Sequence, residues 1–294
     1  MAIELPQKTD YQVLIELARR EDLGGGDVTS NATIPARRQG TGHIVFRQPG
    51  ILCGMPVAQE VLRQYDEHLE LHQICQDGEH IKTNTTVAKI KGPLRSLLAA
   101  ERVLLNFLQR LSGIATLTSR YVEQTKGTHA QILDTRKTTP GWRKLEKYAV
   151  RGGGGANHRQ GLYDAILIKD NHLHALGAGD LKEKLRQTVE TIFKRYKELK
   201  FIEVEVDDLQ QLQIVLDVNG VDIILLDNMN TEQLRQAVAL RDQMQPQKNV
   251  LLEASGNITL EKVNEIARTG VDRISVGALT HSAIGLDIGL DLSA

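Results

Sequence analysis

FIEVEVDDLQQLQIVLDVNGVDIILLDN, from Phe201 to Asn228, decides the fold. Phe201 to Val206 is a short β-like run, Leu209 to Val218 repeats its apolar residues at the longer helical period, and Asp222 to Leu226 is β-like again. Gly220 stands just past the helical stretch, where a left-handed residue closes a helix. Strand, helix and strand in this order predict one βαβ unit of a parallel sheet.

The rhythm extends in both directions. β-like runs at Gln131 to Asp134, Ala165 to Ile168, Val250 to Leu252 and Arg273 to Val276 alternate with helical stretches at Leu181 to Leu199, Thr231 to Met244 and Leu260 to Ala267. Gly270 caps the last of these as Gly220 caps its own. Repeated βα units predict an α/β barrel, open or closed, with a doubly wound sheet as the alternative, because periodicity does not reveal whether a sheet closes.

Upstream the pattern differs. Apolar pieces at His43 to Phe46, Ile51 to Cys53 and Thr86 to Ile90, broken by Gly, Pro and Asp, predict a small antiparallel sheet, with Pro56 to Tyr65 helical between them. Tyr11 to Arg20 has helical spacing, Gly24 to Gly26 stops it, and Asp27 to Ser30 reads as a turn. Leu94 to Leu111 is a strong helix on whose polar stripe Arg102, Asn106 and Gln109 fall together.

Composition excludes several classes. With 36 basic and 37 acidic residues the net charge is −1, so whole-molecule charge gives no reason to expect nucleic acid or an anionic membrane as partner. Cys53 and Cys75 are the only cysteines and belong to no close-spaced ligand pair, which argues against a disulfide framework and a zinc site. No apolar run is long enough to span a bilayer, and MAIELPQKTDYQ lacks the basic start and apolar core of a secretory signal. A reduced, cytoplasmic setting is the expectation.

Barrel chemistry gathers at the carboxyl ends of strands. Here those ends run into Asp134-Thr135-Arg136-Lys137, Lys169-Asp170-Asn171-His172, Asp227-Asn228, Glu253-Ala254-Ser255-Gly256-Asn257 and Gly277-Ala278, and the third strand carries Glu203 and Glu205. Strands often end in polar residues simply because the chain meets water there. Six such ends with the cations early (Arg136, Lys137, Lys169, and beside them Arg143 and Lys144) and the acids Glu205 and Asp227 late suit a ligand rich in phosphate and carboxylate that develops positive charge as it reacts. The four consecutive glycines of Gly152 to Gly155 let backbone approach a ligand closely and deliver His158 and Arg159 just before the second strand; a flexible linker is the plainer reading. Ser255-Gly256-Asn257 and Gly277-Ala278 can offer backbone N–H groups to a phosphate.

DTRKTTPGWR (from Asp134), VRGGGGANHRQGLYDAILIKDNH (from Val150), EVEVDDL (from Glu203), ILLDNM (from Ile224), LEASGNIT (from Leu252) and ISVGALTHS (from Ile274) resemble the quinolinate phosphoribosyltransferase family, as do AERVLLNFLQRLSGIAT (from Ala100) and EDLGGGDVTS (from Glu21) upstream. The resemblance is collinear from about Glu21 to Asp287. It implies an N-terminal α/β sandwich domain over residues 1–114, joined by the tail 282–294, and a TIM-like open α/β barrel of six or seven parallel strands over 115–281. It implies transfer of phosphoribosyl from phosphoribosyl pyrophosphate (PRPP) to quinolinate with decarboxylation, Mg²⁺ accompanying PRPP, and a homodimer or higher assembly in which Arg102 is lent across the interface. By motif, Thr135, Arg136, His158, Arg159 and Lys169 with the partner's Arg102 would bind quinolinate. Lys137 and Lys169 would meet substrate or pyrophosphate, and Glu205 and Asp227 would serve the ribose and the metal. Ser255, Gly256, Asn257, Gly277 and Ala278 would form the phosphate loop, with His281 beside it. Glu205 is preferred to Glu203 from its place in the motif. Rival readings are a sister phosphoribosyltransferase for another aromatic acid, a Schiff-base aldolase using Lys169, and a phosphate-binding protein that has lost catalysis.

Overall fold

The computed structural model describes residues 3–175, 179–244 and 250–293. Five strands precede the long helix: β1 (Gln39–Phe46), β2 (Gly50–Ile51), β3 (Glu70–Gln73), β4 (His80–Ile81) and β5 (Thr85–Pro93). Six follow at wider intervals, β6 (Gln131–Leu133), β7 (Ile166–Ile168), β8 (Ile202–Val206), β9 (Ile223–Asp227), β10 (Leu251–Ser255) and β11 (Arg273–Ser275), and β12 (Ile288–Ser293) ends the series. They divide between two units, Met1–Ser119 with Thr138–Gly155 and Leu279–Ala294, and Arg120–Lys137 with Ala156–Ala278.

In the first unit an antiparallel sheet runs β12-β1-β5-β3, so the end of the chain returns to pair with β1. A bulge at Ile44/Val45 accompanies the burial of Ile44, Val45 and Phe46 in succession, which strict alternation would not allow. The helix Leu94–Gln124 buries Leu97, Leu104, Leu108 and Leu111 on one side. It continues well past Leu111, where the sequence reading ends it. Ser112-Gly113 resembles a stop, but Gly113 serves a close approach, since a Cβ there would stand 2.1 Å from the Ile284 carbonyl oxygen. Asp27 to Ser30 is likewise not a simple turn: the Asp27 carboxylate accepts the Ser30 N–H at 2.9 Å and opens the short helix Val28–Thr33.

Residues 138–155, expected in the barrel domain, pack with the first unit. Glu146 is fully buried there, paired with Arg110 at 2.7 Å and accepting the Thr139 hydroxyl at 2.8 Å. Gly153 lies so close to the long helix that a Cβ would meet the Ala115 carbonyl oxygen at 2.2 Å. The glycine run therefore admits backbone to a helix.

The second unit is a six-stranded parallel sheet in the order β6-β11-β10-β9-β8-β7. β6 and β7 stand at its two edges, so the described strands form an open barrel. β8 (IEVEV) is buried throughout, as a parallel strand covered on both faces should be. Aspartates fix the amino ends. Asp222 accepts the Ile202 N–H at 2.7 Å, and Asp272 accepts the Leu252 N–H at 2.8 Å while pairing with Arg241 at 2.6 Å. Gly220 and Gly270 have φ of +91° and +95°, the left-handed values their places predict. Among the described residues no helix is long and apolar enough to cross a membrane.

Candidate active site

Side chains alternate along a strand, so Glu203 with Glu205, Leu225 with Asp227, Glu253 with Ser255, and Arg273 with Ser275 each share one face. The member nearer the carboxyl end of each pair lines a cavity of about 480 Å³, a size suited to small substrates. Leu167, Leu225 and Glu253 complete its strand wall. Loops supply the rest: Thr135, Arg136 and Lys137 after β6, His158 and Arg159 before β7, Lys169 after it, and Asn228, Gly256 and Asn257 beyond β9 and β10. Glu205 faces the cavity and pairs with Lys169, Oε2 to Nζ, at 2.6 Å. Glu203 is fully buried and is not part of the lining, which separates the two candidate acids that the sequence leaves side by side.

The cationic loops are held from below. The Thr135 hydroxyl accepts the Lys137 N–H at 3.0 Å and shapes the turn that presents Arg136 and Lys137. Buried Asp134 accepts the His158 N–H at 3.0 Å and the Asn157 side-chain amide at 2.5 Å. On the other side of Arg159, Asp164 accepts the N–H groups of Gln160 and Gly161, each at 2.9 Å. Burial pushes the Asp164 carboxyl up, but those amides and Lys200 outweigh it and hold it below the usual range. Arg159 is thus clamped from both directions. Its side chain is only 6% exposed and donates to the Ala165 carbonyl at 3.3 Å. Burial first, and then the neighbouring Arg136 charge, lower its pKa. Two guanidinium groups kept together in a partly dry wall are a standing repulsion that an anionic ligand relieves.

The opposite rim is built from left-handed residues. Asn228, Gly256 and Asn257 have φ of +54°, +94° and +48°. The Asn228 N–H donates to the Ser255 carbonyl at 2.9 Å, and the Asn257 amide donates to Asn228 Oδ1 at 3.2 Å. A Cβ on Gly256 would stand 2.2 Å from Asn228 Oδ1 and 2.9 Å from the Asn228 backbone nitrogen. Gly256→Ala is therefore expected to destabilise the protein by at least about 1–2 kcal/mol from backbone strain alone, a loss of several degrees by thermal denaturation. An unchanged melting temperature would show that the rim yields freely.

Not every expected residue reaches the cavity. Gly277, Ala278 and His281 do not line it, and His281 is exposed, its Nδ1 2.6 Å from the Ser282 hydroxyl. Arg102 is exposed on the first unit's long helix. Conversely, Leu167, Leu225 and Ser275 line the cavity without being named at a strand end, and Asn228 and Glu253, named there without a role, line it too. Counting back two residues from each strand end would have found Leu225 and Glu253, because both share a face with the terminal residue.

Family profiles match nearly the whole chain. The profile described as "Quinolinate phosphoribosyl transferase, C-terminal domain" covers residues 114–291, and the one described as the N-terminal domain covers 27–112. The chain is 45% identical over 282 residues to the nicotinate-nucleotide pyrophosphorylase [carboxylating] of Mycobacterium leprae, covering 95% of each chain. It is 41% identical to a probable enzyme of the same name from Bacillus subtilis, covering 93% of this chain and 90% of that one. The solved nicotinate-nucleotide pyrophosphorylase of Francisella tularensis superposes with a TM-score of 0.87 at 36% identity, covering 100% of this chain and 99% of the other.

Proposed function

The chain belongs to the quinolinate phosphoribosyltransferase family, and from that premise we propose that its cavity converts quinolinate and PRPP to nicotinate mononucleotide, pyrophosphate and carbon dioxide, a step of NAD synthesis. The observation that carries this reading is the sorting of charge in one cavity: Arg136, Lys137, Arg159 and Lys169 share it with Glu205 and Asp227. Two polyanions can be gripped by the cations, and a cation-like ribose can be met by the acids.

Arg136 and Arg159, with His158 beside them, hold the two carboxylates of quinolinate, because a planar dianion needs more than one guanidinium fork. Lys137 and Lys169 neutralise the departing pyrophosphate. Glu205 and Asp227 stabilise the positive charge that grows on the ribose as its bond to pyrophosphate breaks. The pyridine nitrogen attacks the anomeric carbon, and the resulting pyridinium draws in the electrons left at C2 as the adjacent carboxylate departs as CO₂; C2 then takes a proton. Ser255, Gly256 and Asn257 face the 5′-phosphate. Lys169 in its ion pair with Glu205 is poorly suited to Schiff-base chemistry, which needs a desolvated neutral amine.

Carboxylate oxygens are the donors Mg²⁺ prefers, and Glu205 and Asp227 place two in the same wall. They would hold the ion that accompanies PRPP, whose chemistry is neutralisation of pyrophosphate charge. A homodimer in which the exposed Arg102 of one copy completes the site of the other fits that residue's place on a polar stripe. The free thiols of Cys53 and Cys75 suit a reducing, cytoplasmic compartment.

Incubation with quinolinate, PRPP and Mg²⁺ is expected to yield nicotinate mononucleotide and CO₂ in equal amounts, and nicotinate in place of quinolinate is expected to yield almost none. Equal use of nicotinate would favour the sister-enzyme reading instead.

A further inference from the structure

Glu203 and Arg273 take no part in the chemistry above, and Glu253 enters it only as lining; all three are on the strand positions just below the reacting level. Glu203 and Glu253 are fully buried. Two carboxylates in so dry a place are tolerated only when fixed donors and cations meet them.

Those partners form a chain of contacts that ends on a substrate-binding residue. Arg273 Nε donates to Glu253 Oε2 at 2.7 Å, and the Arg273 guanidinium lies 5.6 Å from the centre of the Phe201 ring. Phe201 meets the His158 ring edge-on at 5.4 Å. His158 Nε2 stands 2.9 Å from Glu203 Oε2 and 3.4 Å from Glu253 Oε1. On the other side of the same ring, Nδ1 accepts the backbone N–H of Arg159 at 2.8 Å. Phe201 thus lies edge-on to the ring, the two carboxylates stand at its Nε2, and Nδ1 receives the peptide N–H from which the Arg159 side chain departs.

Burial works against charge on His158 while the two carboxylates draw a proton to its ring, and the Arg159 N–H donating to Nδ1 leaves no room there for a second one, so the geometry holds the neutral ring. With Nδ1 accepting an amide, the proton that matters for this geometry is the one on Nε2, between Glu203 and Glu253. Residue types alone would let His158, Glu203 and Glu253 hold a metal ion, but Arg273 already supplies the compensating positive charge.

We propose that Glu253, together with Glu203 and Arg273, positions the quinolinate-binding wall: the buried carboxylates lock the His158 ring, and the ring locks the Arg159 backbone so that its guanidinium meets the substrate in one fixed geometry. This rests on the assignment of Arg159 to quinolinate made above. The layer's side-chain contacts lead to His158 and Arg159, on the quinolinate side, while Glu203 and Glu253 share only their strands with Glu205 and Ser255.

The test is Glu253→Gln, which keeps size and an acceptor oxygen but removes the charge. With each substrate varied in turn, KM for quinolinate is expected to rise about tenfold or more, while KM for PRPP stays near the wild-type value and the melting temperature falls, because Arg273 loses its buried partner. Nitrogen-15 histidine spectra are expected to show a single Nε2–H signal for His158, identified by its loss in His158→Gln, and a mixed tautomer signal in Glu253→Gln. Phe201→Leu loosens the ring without touching the buried charges and is expected to raise the quinolinate KM by a smaller factor; it decides the matter if Glu253→Gln does not fold. Unchanged quinolinate KM in a folded variant, or an equal rise for both substrates, overturns the proposal and leaves the proposed function standing. A wild-type protein that makes no nicotinate mononucleotide overturns both.

Discussion

Arg159→Ala lowers kcat/KM for quinolinate by about 30- to 5,000-fold, the range expected when one member of a desolvated, hydrogen-bonded charge pair is removed at a cost of about 2–5 kcal/mol. The residue is almost entirely buried, its approach to the cavity is clamped by Asp134 and Asp164 on either side, and the Arg136 charge beside it lowers its pKa. The fold meets the guanidinium with one hydrogen bond, to the Ala165 carbonyl at 3.3 Å, and the ligand would supply the carboxylate. For that reason stability moves little: the lost packing is offset by relief of the Arg136 repulsion, and the melting temperature falls by no more than about 2–4 °C. Arg159→Lys recovers only part of the activity, because an ammonium lacks the fork that meets a carboxylate through two parallel bonds. Steady-state kinetics at saturating PRPP, beside a thermal melt of the same sample, separate the two effects. Turnover of Arg159→Ala at the wild-type rate would remove Arg159 from the site.

Glu205→Gln acts on the other half of the reaction. Its carboxylate meets charge that develops as the ribose loses pyrophosphate, so kcat falls by about 10²- to 10³-fold while KM for quinolinate stays near wild type. The substitution also strips Lys169 of its carboxylate partner at 2.6 Å. It also removes one of the two carboxylates that would hold the Mg²⁺ accompanying PRPP, so KM for PRPP is expected to rise as well. The control is Glu203→Gln, two residues away on the same strand face but outside the cavity lining. A kcat loss in Glu203→Gln as large as that in Glu205→Gln, with quinolinate KM unchanged, would mean that the acid has been placed one level too high.

Much of the fold was legible because it depends on local pattern. The six runs expected as barrel strands are all strands, since each is a short apolar stretch bounded by polar or glycine-rich turns, and four of them are followed by a helix at its own period. Motif order alone joined Arg136, Lys137, His158, Arg159, Lys169, Glu205 and Asp227 into one site, and all seven line one cavity. The rest was not legible for a common reason. The helix expected to end at Leu111 runs on past Gly113, and the glycines from Gly152 to Gly155 gave no sign along the chain of what they pack against. In each case a glycine's partner is another stretch of chain, Ala115 for Gly153 and Ile284 for Gly113, far away in sequence.

By itself, the sequence determined the alternation of strands and helices, the side of the sheet on which chemistry gathers, and the chemical types assembled there. Those follow from periodicity and from motifs, which are properties of neighbours along the chain. Tertiary structure alone decided that Glu205 faces the cavity while Glu203 lies beneath it, that the barrel stays open between β6 and β7, and that Glu253, Arg273 and Phe201 surround His158. These are questions of depth and of long-range pairing. Two residues on one strand face look alike in sequence, and only the packing of separate strands around them settles which one reaches the substrate and which is enclosed.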